Sequence, residues 1–191
     1  MKTICVYCGA SEAVAQAYKD VAVNFGKEMG EQQKSLVYGG ASVGLMGCVA
    51  DAVLKSGQKV IGVIPQHILD SERKHEHLTQ LHVVETMHER KKMMAEQADA
   101  FVVLPGGMGT LDEMFEILTW KYLRLHNKPV VILNVAGYWD HMIKLINNMV
   151  EEKFSAPWHA KMFNVVTDIG DVIPALEKMR EKPIEEHLER T

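Results

Sequence analysis

Nine consecutive residues, Pro105-Gly106-Gly107-Met108-Gly109-Thr110-Leu111-Asp112-Glu113, bring together three glycines, a hydroxyl and two carboxylates. The apolar run Ala100 to Leu104 precedes them at strand length, and Leu111 to Leu125 follows with apolar residues at helical spacing, so the glycines fall at a strand-to-helix turn. A helix N-terminus offers unpaired N–H groups and positive dipole density, and glycines let an anion approach the backbone closely. The chemistry of this run is that of a phosphate cradle with a carboxylate, Glu113, in the adjoining turn. Thr110-Leu111-Asp112-Glu113 also matches a capping box, in which Thr110 caps the helix and Glu113 reaches back to it. Spacing alone favours that structural role; the position beside the cradle favours a chemical one.

Two further loops are rich in small residues: Tyr7-Cys8-Gly9-Ala10-Ser11, and Gly39-Gly40-Ala41-Ser42-Val43-Gly44 continuing into Leu45-Met46-Gly47. Each comes after an apolar strand. In an open parallel sheet such loops emerge at one edge, where ligands bind near the point at which strand order reverses, so three together indicate a nucleotide site. A dinucleotide fold would place an acidic residue at the end of the next strand, which here reads Val63-Ile64-Pro65-Gln66; an ATPase P-loop would need Lys followed by Ser or Thr, and that sequence does not occur. The remaining candidate is a mononucleotide or sugar phosphate held by backbone amides and one or two cations.

The cations come from Met87-His88-Glu89-Arg90-Lys91-Lys92-Met93-Met94. Arg90 lies three residues after Met87 and four before Met94, on the stripe those methionines bury, and either points into the protein or snorkels to solvent. Lys91 and Lys92 read as solvated, and so does Glu116, one turn beyond Glu113. His75 and His77 sit in the polar run Ser71-Glu72-Arg73-Lys74-His75-Glu76-His77 without the partner cluster a metal site needs. Cys5-Val6-Tyr7-Cys8 formally matches C-x-x-C, but residues three apart on a strand point to opposite faces, so Cys5, Cys8 and Cys48 read as free thiols.

The elements that must carry these residues alternate along the chain. Apolar strands fall near 3–7, 35–38, 59–64, 81–85, 100–104, 129–133 and 163–166, with helical patterns near 12–30, 44–55, 86–98, 111–125, 138–153 and 169–180. This predicts an α/β fold: a single-domain, Rossmann-like, doubly wound parallel sheet of about seven strands with helices on both faces, spanning residues 1–180, and a charged tail at 181–191. The segment Pro65 to Gln80 interrupts the alternation at a length that suits a lid or binding loop and equally a solvated surface excursion.

A net charge of -4 with no basic block argues against nucleic acid as a partner, and no apolar run is long enough to span a bilayer. The opening residues enter a strand directly, without the apolar core of a signal peptide, which predicts a cytoplasmic protein.

The motifs P-G-G-x-G-T-x-x-E at Pro105 to Glu113, G-G-x-x-x-G-L-M-G at Gly39 to Gly47 and M-H-x-R-K at Met87 to Lys91 resemble those of the "lonely guy" family of cytokinin-activating phosphoribohydrolases, and the resemblance covers all but the last dozen residues. Members have often been labelled lysine decarboxylases, a label for which this chain offers no pyridoxal-phosphate lysine context. The resemblance implies hydrolysis of the N-glycosidic bond of a cytokinin-type or adenine nucleoside 5'-monophosphate, with no cofactor or metal. It implies Arg90 and Glu113 as the catalytic pair. Gly106, Gly107, Gly109 and Thr110 would hold the phosphate, Gly9, Ser11, Gly39 and Gly40 would line the nucleotide, and Glu72, Lys91, Met108, Leu111, Asp112 and Thr119 would complete the binding residues. Asp112 replaces a common Glu, Met108 a frequent aromatic and Ala41 a common glycine. A homodimer with shared sites is also implied. The rival from another class is a nucleotide or cofactor carrier of the same fold that binds without turnover, and the rival among enzymes is a broad-specificity nucleotide nucleosidase.

Overall fold

Seven short strands pair in parallel in the order β4-β3-β2-β1-β5-β6-β7, as the apolar runs require. They are β1 (Thr3–Tyr7), β2 (Ser35–Tyr38), β3 (Val60–Pro65), β4 (Gln80–Val84), β5 (Ala100–Val103), β6 (Val130–Leu133) and β7 (Asn164–Val166). The helices are α1 (Gln16–Glu31), α2 (Gly44–Lys55), the four-residue α3 (Gln66–Leu69), α4 (Met87–Gln97), α5 (Met108–Tyr122), α6 (Asp140–Glu151) and α7 (Val172–Glu181). The structure, a computed structural model, describes residues 1–69 and 75–181.

Strand periodicity sorts the interior into two cores. Ile4, Val6, Leu36, Tyr38, Val102 and Leu104 face α1, α2 and α7, where they meet Phe25, Met29, Val49, Val53 and Leu176. Cys5, Tyr7, Val37, Phe101, Val103 and Ile132 face α4, α5 and α6, where they meet Met94, Met114, Ile117 and Ile146. Both faces of the central strands are therefore dry, which is why their sequences read as continuous apolar runs. Cys5 and Cys8 fall in different cores, as their spacing on a strand predicts, and the three cysteines are unpaired.

From β1 the chain steps outward to β4, then returns across the sheet through α4 to place β5 on the other side of β1. The order reverses between β1 and β5, so the loop ending in Ser11 and the loop Pro105–Gly107 flank the switch point, where open α/β sheets bind ligands. Two helix starts beside the switch point differ from expectation. α1 begins at Gln16 instead of 12, because Ser11 to Ala15 forms a turn in which the Ser11 hydroxyl accepts the Ala13 N–H at 3.3 Å. α5 begins at Met108, three residues early, with Gly107 in extended backbone as its N-cap. Glu72 and the tail from 182 onward lie outside the described residues.

Candidate active site

Arg90 is delivered by the first turn of α4. Thr86 caps that helix by accepting the Glu89 N–H at 3.1 Å, while the Glu89 carboxylate accepts the Glu85 N–H at 2.9 Å. One turn in, the Arg90 side chain is only 13% exposed. Its Nε donates to the Val63 carbonyl of β3 at 3.2 Å, and its Nη1 lies 3.1 Å from Glu113 Oε1. The guanidinium packs so closely over Gly39 that a methyl group there would collide with it. Of the two orientations open to Arg90, the structure takes the inward one.

Glu113 is buried in the second turn of α5. Because the helix starts at Met108, Thr110 is its third residue and no capping box forms; the N-cap, Gly107, has no side-chain partner. Thr110 packs under the loop instead, where a Cβ on Gly106 would strike its hydroxyl. Arg90 approaches Glu113 Oε1 without aligning an N–H on it, so the contact is an ion pair and this buried oxygen has no hydrogen-bond donor. Burial pushes the Glu113 carboxyl up to about 7, opposed by Arg90 and reinforced by Asp112. Beneath it, burial foremost and the charge of Glu113 in addition hold the Cys5 thiol and the Tyr7 phenol above their ordinary values, so both stay neutral.

Two expectations are corrected around this pair. Lys91 is buried, and its Nζ lies 3.0 Å from Asp112 Oδ2 and 3.2 Å from Glu116 Oε1. Glu116 is accordingly a partly buried partner, 21% exposed, not a solvated carboxylate. Periodicity does not reveal this, because each group finds its counter-charge on the other helix. Lys92 is 70% exposed, as expected.

The loops converge as the sequence predicts. The Gly9 N–H donates to the Pro105 carbonyl at 3.0 Å, and the Gly9 carbonyl accepts the Leu45 N–H at 2.9 Å, tying all three glycine loops together. Gly40 holds a φ of 82°, where a side chain would be strained, and its carbonyl accepts the His75 N–H at 3.2 Å. Gly107, Met108 and Gly109 are exposed at the start of α5, Met108 at 83%, with open space above both glycines. Leu111 is half-buried and Asp112 exposed beside Glu113. Ser11 is exposed at the rim. Thr119 is exposed on α5, six residues and about 9 Å of helix beyond Glu113, and is not part of the cluster in this chain.

His75 is buried with Nε2 donating to Asp51 Oδ1 at 3.1 Å and Nδ1 accepting the His77 N–H at 3.3 Å, so both ring nitrogens are engaged. Among the described residues no three His, Cys, Asp or Glu side chains group as a metal site. Sequence reasoning missed Tyr138, whose hydroxyl donates to the Gly106 carbonyl at 2.6 Å across a separation of 32 residues; no local pattern announces it.

Residues 46–176 match a family model described as "Possible lysine decarboxylase". The chain is 41% identical over 188 residues to the cytokinin riboside 5'-monophosphate phosphoribohydrolase LOG1 of Arabidopsis thaliana, covering 95% of this chain and 88% of that protein. It is 47% identical over 156 residues to the probable cytokinin riboside 5'-monophosphate phosphoribohydrolase LOGL6 of Oryza sativa subsp. japonica, covering 82% of this chain. The chain belongs to this phosphoribohydrolase family. It spans 62% of the length of the rice phosphoribohydrolase, and the region matching the family model includes Arg90 and the whole Pro105–Glu113 run. The chain also shares its fold with the molybdenum cofactor carrier protein of Chlamydomonas reinhardtii, at a TM-score of 0.73 and 22% identity, over 95% of this chain and 99% of that one. No helix among the described residues is long and apolar enough to cross a membrane.

Proposed function

We propose that this chain hydrolyses the N-glycosidic bond of a cytokinin riboside 5'-monophosphate, releasing the free base and ribose 5-phosphate. The observation that carries the reading is the buried Arg90–Glu113 pair, 3.1 Å apart, beside a glycine cradle at the topological switch point. The backbone N–H groups of Gly107 and Gly109, with the N-terminal dipole of α5, bind the 5'-phosphate, and Thr110 supports the loop from below. Gly9, Ser11, Gly39 and Gly40 line the nucleotide.

Breaking the bond leaves positive charge on the anomeric carbon. Glu113 stabilises that charge and orients or deprotonates the attacking water, whose oxygen bonds to the anomeric carbon while the base leaves with the glycosidic electron pair and takes up a proton. Glu113 is suited to this work because it is buried and its Oε1 has no hydrogen-bond donor. Arg90 favours the ionised carboxylate against the effect of burial and orients the nucleotide through its phosphate or ribose. Lys91, bound to Asp112 and Glu116, fixes α4 against α5 and so sets the spacing of the pair.

The same reading includes a homodimer, in which exposed Thr119 contributes across the interface, and a cytoplasmic setting, supported by three unpaired cysteines. The test is release of free base from isopentenyl-AMP, followed by chromatography alongside AMP, GMP and CMP. Release with preference for the isopentenyl nucleotide supports the reading. Binding without release from any of the four would instead identify a carrier.

A further inference from the structure

The loop after β6 is built with unusual backbone. Ala136 holds a φ of 50° and Gly137 a φ of 70°, and left-handed geometry at an alanine is strained. Asn134, at the strand end, fastens the start of α6: its Oδ1 accepts the Trp139 N–H at 2.7 Å and its Nδ2 donates to Asp140 Oδ1 at 2.8 Å. The product of this turn is the position of Tyr138. The residue is 40% exposed; its ring packs edge-on against Tyr18 and Trp139, with centroids 5.6 and 4.8 Å away, and its hydroxyl donates to the Gly106 carbonyl at 2.6 Å.

That hydrogen bond fixes one peptide plane. The Gly106 carbonyl and the Gly107 N–H belong to the same trans unit, in which C=O and N–H point in opposite directions. Glycines on both sides would otherwise let the unit rotate freely. Gripping the carbonyl from the β6 side turns the Gly107 N–H away from Tyr138 and leaves it as a donor for a ligand at the N-terminus of α5; no protein acceptor among the described residues takes it.

We infer that Tyr138 is a positioning residue for the 5'-phosphate: it holds the Gly106–Gly107 peptide so that the cradle is formed before ligand arrives. This rests on the nucleotide-monophosphate reading of the site and adds to it a residue from a separate loop, acting through the backbone without touching the reacting atoms. A preformed cradle spares the ligand the cost of ordering two glycines.

The experiment compares the parent chain with Tyr138→Phe by calorimetric titration with AMP and with adenosine, and by the KM and kcat of base release. Phenylalanine keeps the ring packing and loses only the hydroxyl, so the melting temperature serves as the folding control. The expected result is AMP affinity about tenfold weaker and KM raised to match, with adenosine affinity and kcat nearly unchanged, as loss of one hydrogen bond that acts through phosphate alone requires. Unchanged AMP affinity in Tyr138→Phe would overturn the inference while leaving the nucleotide reading intact. Equal losses for AMP and adenosine would also overturn it, assigning Tyr138 to the sugar or base. A parent chain that binds AMP no better than adenosine would bring down the phosphate cradle itself, and the inference with it.

Discussion

Replacing Glu113 with glutamine separates the energetic cost of the site from its chemistry. Burial raises the Glu113 carboxyl from its usual 4.5 to about 7 in the folded chain. At about 1.4 kcal/mol per pH unit, holding it ionised in this pocket costs the fold about 3 kcal/mol. Because the folded-state value lies above the unfolded one, the folded chain binds the extra proton between these limits. The parent therefore loses stability as pH rises from 4.5 through 7 and levels off beyond. Glutamine cannot ionise and removes this dependence, although it leaves the Arg90 charge without a counter-ion at every pH. The stability of Glu113→Gln minus that of the parent should thus shift in favour of the variant by about 3 kcal/mol between pH 4.5 and pH 8. Urea denaturation at several pH values reads this difference, in which other titrating groups largely cancel. In the same variant, base release should fall by about 10²- to 10⁴-fold. The parent's kcat/KM should rise with pH through about 7 as the carboxylate forms. A stability difference that stays flat from pH 4.5 to 8 would refute the claim that a desolvated carboxylate sits at this position.

Gly39→Ala places a methyl group against the Arg90 guanidinium, so it should displace the arginine and lower kcat/KM by at least about tenfold at little cost to the melting temperature; unchanged kinetics would show that Arg90 has another orientation to use. Lys91→Met removes the cation between Asp112 and Glu116 and should cost about 1–2 kcal/mol, a fall of about 5 °C in Tm, read by differential scanning calorimetry. Met114→Ala, beneath the site in the core shared by α4, α5 and α6, should cost about 2–5 kcal/mol in denaturant unfolding. Thr119→Arg, on the exposed side of α5, should shift the chain from dimer to monomer in light scattering if α5 meets a second copy; a parent already monomeric at micromolar concentration would contradict the dimer.

The sheet was legible because its central strands are buried on both faces and so carry unbroken apolar runs, such as Val130 to Leu133. The glycine loops were legible for a related reason: strand ends and helix starts leave local marks. Sequence could not decide which of two satisfactory local arrangements long-range packing would select. Thr110 and Glu113 have capping-box spacing, but Pro105 is anchored to the β1 loop and Gly106 to Tyr138, and α5 starts earlier, which turns Glu113 toward Arg90. Lys91 and Glu116 are polar residues on two amphipathic helices, and solvent is the default reading until the helices are known to touch. Tyr138 reaches Gly106 through a strained turn that one sequence gives no means to foresee.

The most direct measurement incubates the purified chain with isopentenyl-AMP and quantifies base and ribose 5-phosphate together. Both should appear in equal amounts over many turnovers in the parent, and release should be reduced by at least about 100-fold in Glu113→Gln while nucleotide affinity stays within a few-fold. Nucleotide bound but never cleaved by the parent, or cleaved as fast by the glutamine variant, would contradict the assignment of Glu113 to glycosidic cleavage.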